Sequence, residues 1–159
     1  MNAEQIRRLV IQPALQTLSD MTPCKYSEVA ENLLMGTAAT ESHMGRFIKQ
    51  HPTGPACGIF QIEPATAVSI LDNFVKFRPA FQSAVDHFMT SEPLPQQLIT
   101  NLSLQAVIAR LVYYIKPQPL PTSAHDIHEL GNYWKAHYNT AAGKGTAQKF
   151  VNDYARYVI

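Results

Sequence analysis

Glu41 has the most unusual setting of any carboxylate in this chain. It closes the run YSEVAENLLMGTAATES, whose spacing predicts a helix ending near Glu41. Seven residues make almost two helical turns, so Glu41 falls within about 20° of Leu34 around the axis. Ala30, Thr37 and Ala38 share that stripe, whereas Glu28 and Glu31 fall elsewhere and read as solvated. Gly36, Thr37, Ala38 and Ala39 are small enough to admit a neighbouring element closely. A carboxylate at the end of an apolar stripe loses solvent on one side, which raises its pKa. A carboxyl still protonated near neutral pH can act as a general acid, and glycoside cleavage needs one. The competing reading is a Glu in a last turn that faces solvent, as charged helix ends commonly do.

Glu63 is the second carboxylate of interest. It stands two residues after Gln61 and directly before Pro64. One reading makes it a partner that activates water or forms a covalent intermediate. The other makes it a favourable charge at a helix N-terminus, and its position before Pro64 favours this. His125 and His128 lie one turn apart, but HDIHE lacks the further ligands of a metal site, so a solvated face is expected and no metal. His43 and His51 belong to the segment after Glu41 and are candidates to touch a ligand there. GKG at 143–145 lacks phosphate-loop context and reads as a turn before Thr146 caps the last helix. No Ser/His/Asp arrangement is evident.

The elements that must position these groups are predominantly helical. Residues 3–20 predict a first helix, kinked or split at Pro13. Thr22-Pro23 and Ser27 supply start signals for the helix that ends at Glu41. Pro64 opens a third, with Val68, Leu71, Phe74 and Val75 on one face. A fourth at 79–90 carries Phe81, Val85, Phe88 and Met89. Residues 102–115 show the clearest period, with Leu104, Val107, Ile108, Leu111, Val112 and Ile115 in one stripe. KPQPLPT at 116–122 is a stiff connection, and helices are expected at 124–138 and 146–158. Only 43–63, HMGRFIKQHPTGPACGIFQIE, breaks the pattern. It predicts an irregular loop or short hairpin, the kind of long loop that is often functional.

The chain's 159 residues suit a single domain, 1–159, and the fold class expected is mainly α. Its formal charge of +1 argues against a nucleic-acid partner held by phosphate contacts. No run approaches the roughly 18 apolar residues of a membrane span. MNAEQIRRLV shows no secretory signal, so synthesis in a cytoplasm is expected. Cys24 and Cys57 then read as two buried thiols.

Ordered elements follow Glu41-Ser42: Gly45, the stretch Gly54 to Gly58, then GIFQIEPATA from Gly58 to Ala67. HYNTAAGKGT places Tyr138-Asn139 later in the chain. From Glu41 onward the sequence resembles the lytic transglycosylase and goose-type lysozyme families. They share a Glu-Ser pair closing a helix, a glycine-rich stretch, Gly-x-x-Gln-Ile, a Pro and a later Tyr-Asn. LLMGTAATES is similar to versions in phage-encoded cell-wall lytic proteins. The resemblance spans roughly 26–67 and the segment around Tyr138; it departs at Thr140-Ala141, where Ala-Gly is usual.

The resemblance implies a lysozyme-like fold and bacterial peptidoglycan as partner, without a cofactor. Glu41 would be the acid/base, and Ser42 would orient it or the substrate. Gln61 and the backbone of Gly58, Ile59 and Phe60 would line the sugar cleft. Tyr138 and Asn139 would close the far wall, with Tyr138 within hydrogen-bonding reach of Glu41. Trp134, one turn earlier, would stack on a sugar or sit in the core. The activity implied is a lytic transglycosylase, with a muramidase-type hydrolase or a non-catalytic wall-binding virion protein as alternatives. Delivery would be in a phage particle or through a membrane pore.

Overall fold

The computed structural model describes residues Met1–Ile159, and the chain is mainly helical. Asn2 opens α1 (Ala3–Ile6) by accepting from Gln5 N. A π-helical turn at Arg7–Ile11 leads into α2 (Gln12–Met21). Pro13 has no N–H to give, and the widened turn just before it absorbs the misfit. Helical backbone therefore runs on from Ala3 to Met21, and the expected split becomes a change of helix type.

Ser27 caps α3 (Glu28–Ser42), its side chain accepting from Ala30 N, while Thr22 instead closes α2. Every residue from Ala30 to Thr40 is buried. The helix is thus enclosed all round, by α7 (Leu102–Tyr114), α8 (Ile127–Trp134) and α9 (Ala147–Tyr157) among others. The small residues do admit a close neighbour. A Cβ added to Gly36 would lie 2.0 Å from Phe150 Cζ, so α9 packs where only glycine leaves room.

This enclosure corrects one expectation. Glu31 is buried, not solvated; Arg7, Gln12 and Tyr26 all donate to its carboxylate. Those partners come from other elements, and they supply the charge and hydrogen bonds that a buried carboxylate requires.

Pro64 opens α4 (Pro64–Asn73), which buries Ala67 and Ile70. Val68, expected inside, is 45% exposed, so the inward face is rotated from the one its apolar spacing implied. A 3-10 turn, Val75–Phe77, leads into α5 (Pro79–Phe88), with Phe81 and Val85 in the core. An unanticipated short helix follows, α6 (Leu94–Thr100), whose Leu98 is buried. α7 buries Leu104, Val107, Ile108 and Leu111 as expected, but Ile115 is exposed just past its end. α8 gives way at Trp134 to a second π-helical turn, Lys135–Asn139. Thr146 caps α9 by accepting from Lys149 N.

The expected loop at 43–63 forms no hairpin strands, only isolated bridges of Cys57 to Lys49 and Ile62. Cys24 and Cys57 are free and buried. No helix is long and apolar enough to cross a membrane.

Candidate active site

The site is assembled where α3 ends. His43, Met44 and Gly45 follow in left-handed conformation, with φ of 51°, 57° and 80°, and turn the chain sharply away. This reversal leaves Glu41 on the last turn of the central helix. Ser42 secures the turn: its Oγ accepts from Gly45 N at 2.8 Å and donates to Ile59 O at 2.6 Å. Ser42 is fully buried, so it ties the helix end to the loop and does not meet a ligand in the cleft.

The Gly58–Gln61 segment is a tight turn bracketed by reciprocal backbone bonds between Cys57 and Ile62. Gly58 has φ 76°, and a Cβ there would lie 2.2 Å from Leu98 O. Gln105, a buried polar residue of α7 beside its apolar stripe, accepts from Ile59 N at 2.9 Å. The apolar period of 102–115 runs uninterrupted beside Gln105, so the sequence pattern gives no sign of this role. Gly58, Ile59 and Phe60 are buried, and their carbonyls are taken by Gln61, Ser42 and Tyr138. They form the support of the cleft wall, not its contact surface. Gln61 is the residue of this turn that reaches the cleft.

Two connected depressions meet at Glu41. The wider, of about 610 Å³, is lined by Phe47, Gln50, His51 and Gly143 together with Glu41, Gln61, Glu63 and Asn139. The narrower, of about 190 Å³, shares those last four and continues past Thr66, Val112 and Tyr138. Glu41, Gln61, Glu63 and Asn139 are therefore brought together in the middle of one groove. His43 is not part of it; its ring stacks on Tyr157 at 4.9 Å.

Burial pushes the Glu41 carboxyl up to about 7. The indole of Trp134 and the charge of Lys149 act against burial and favour the ionised form. Trp134 Nε1 donates to Glu41 Oε1 at 3.1 Å. A neutral carboxyl accepts most readily through its carbonyl oxygen, so this bond leaves Oε2 to carry the proton. Trp134 is fully buried beside Phe150, which removes it as a sugar-stacking surface and gives it a different task, holding the carboxyl.

Tyr138 does not bond Glu41 as expected. Its hydroxyl donates to Phe60 O at 2.7 Å, pinning the 58–61 turn to the opposite wall. It still lies close enough for the Glu41 charge to raise its pKa, after the larger effect of burial. Tyr113, buried in the core, packs behind Tyr138 at 5.2 Å and meets Thr37 Oγ1 at 2.7 Å.

Asn139 is held by Lys135, whose ammonium donates to Asn139 Oδ1, Thr140 O and Gly143 O at 2.7, 2.8 and 2.9 Å. One cation thus secures three acceptors of the far wall. It does so around Thr140, whose φ of 67° an L-residue rarely adopts. Glu63 is exposed at the N-cap of α4, but its side chain makes no capping bond there. Its carboxylate lines both parts of the groove. His125 and His128 are exposed, as expected, and no cluster of His, Cys, Asp or Glu suits a metal ion.

No family model, curated protein or solved structure matches this chain.

Proposed function

We propose that this chain cleaves the β-1,4 bond between N-acetylmuramic acid and N-acetylglucosamine in peptidoglycan, as a lytic transglycosylase. The observation that carries the reading is the setting of Glu41. A carboxyl pushed up to about 7 stands in the middle of an open, polar-lined groove, held by a buried indole. Such a group is protonated at mildly acidic to neutral pH and can deliver that proton to a bound ligand. The ordered resemblance from Glu41 to Ala67 supplies the substrate class.

In this mechanism Glu41 gives its proton to the glycosidic oxygen as the C1–O4 bond breaks and oxocarbenium character develops at the muramic carbon. The muramic C6 hydroxyl then attacks C1, and its proton returns to Glu41. Bond breaking and ring closure balance without water, and the nucleophile's proximity within one sugar replaces a dedicated water site. Gln61 and Asn139 hold the strand on either side.

Glu63 supports a second reading, a muramidase-type hydrolase. Its side chain caps nothing, and it lines both parts of the groove together with Glu41. Mass spectrometry of digested wall separates the two. The transglycosylase reading predicts 1,6-anhydro ends, lighter by one water than hydrolysed fragments. Reducing ends on nearly all fragments would make the enzyme a hydrolase.

A further inference from the structure

The groove does not end at its narrow part. Thr66 and Val112 line the narrow depression and also a third one, of about 370 Å³, that runs on between α4 and the end of α7. This third compartment differs in character from the wide cleft around Glu41. There the lining is mostly amide, imidazole and carboxylate, from Gln50, Gln61, Asn139, His51 and Glu63. Here Ala65, Val112 and Ile115 present small or aliphatic surface, Thr66 and Ser69 add hydroxyls, and Lys116 is the single charge.

Lys116 is also the only lysine or arginine lining any of the three connected depressions. Two lysines beside the groove are engaged. Lys135 is spent on the 139–143 wall, and Lys49 donates to Gly54 O and Pro55 O. Lys116 forms no ion pair with any carboxylate of the chain. An aliphatic trough ending in an unpaired ammonium is poorly matched to a bare sugar face, which needs several hydrogen-bonding partners. It is well matched to small methyl-bearing groups followed by a carboxylate.

We propose that this compartment binds the acidic peptide appended to the glycan strand, with Lys116 facing a peptide carboxylate and Val112 and Ile115 facing its short side chains. This rests on the glycan-cleaving reading and assigns the same groove a second recognition element. The strand would lie across Glu41, and its peptide branch would leave through the narrow part towards Lys116. Lys116 would then act on substrate choice and not on bond breaking.

The test compares two forms of one polymer, peptide-bearing glycan strands and strands stripped of peptide by an amidase. For each, kcat and KM are measured with the unaltered chain and with Lys116→Glu. The expected result is that the preference for peptide-bearing strands, as a ratio of kcat/KM values, falls about tenfold in the variant. The change should lie in KM and shrink in high salt, since one screened charge pair is at issue. An unchanged ratio, or equal losses on both strands, overturns the proposal. Failure of the unaltered chain to cut either strand overturns the glycan-cleaving reading, and this inference with it.

Discussion

Trp134 Nε1 donates to Glu41 Oε1 at 3.1 Å, joining residues 93 positions apart in the chain. Trp134 is the only tryptophan present, so its emission reports on one environment. When Glu41 loses its proton, a full charge appears at the indole N–H. Tryptophan fluorescence should therefore titrate with a midpoint near 7, and the transition should be absent in Glu41→Gln. A flat titration in the unaltered chain, with the fold intact, would show that the carboxyl does not ionise there.

The same group makes stability depend on pH with a defined sign. Folding raises the Glu41 pKa from its ordinary 4.5 to about 7. A group raised in the folded state contributes stability that is complete below the lower value and lost as pH rises through the upper one. Glu41→Gln should thus gain on the parent between pH 4.5 and 7, by up to roughly 3 kcal/mol above that window at about 1.4 kcal/mol per pKa unit. Denaturant melts at pH 4 and pH 8 measure the difference. An advantage that does not grow with pH would contradict the assigned burial.

Tyr138→Phe removes the donor to Phe60 O, a bond that links the two walls of the groove. Leaving a buried carbonyl without a partner should cost about 1–3 kcal/mol. Catalysis should fall less than on loss of Glu41, chiefly through weaker binding. Unchanged stability together with a collapse of kcat would mean that Tyr138 acts on the chemistry directly.

Much of this site was legible because its signals are local. Glu41 at the end of a run of small and apolar residues, and the break at 43–63, can be read from neighbours in the chain. Glu31 could not be read that way. It has the same residue type, but its burial depends on Arg7, Gln12 and Tyr26 arriving from elsewhere. Spacing brings Tyr138 to the right neighbourhood but does not select among acceptors across a cleft, and its partner is Phe60 O instead of Glu41. Ser42, expected to orient Glu41 or the substrate, and the Gly58–Phe60 backbone, expected to line the cleft, instead hold the wall from behind. For Trp134 the sequence allows core or platform; it is core, and its polar edge meets Glu41.

Glu63→Gln tests whether the groove holds one catalytic carboxylate or two. Glu63 is exposed and its side chain caps nothing, so stability should change by less than about 1 kcal/mol. Under the transglycosylase reading, lysis is largely retained and the products keep their anhydro ends. A loss as deep as that of Glu41→Gln would move the mechanism to hydrolysis.

The most direct measurement is clearance of purified wall by Glu41→Gln beside the unaltered chain at pH 6. The substitution removes the transferable proton and preserves the size of the side chain. Its far-UV circular dichroism should match the parent, and its rate should fall at least about 10²-fold, the lower range for loss of a general acid. Clearance at the parental rate by the folded variant would contradict the assignment of Glu41 as the acid.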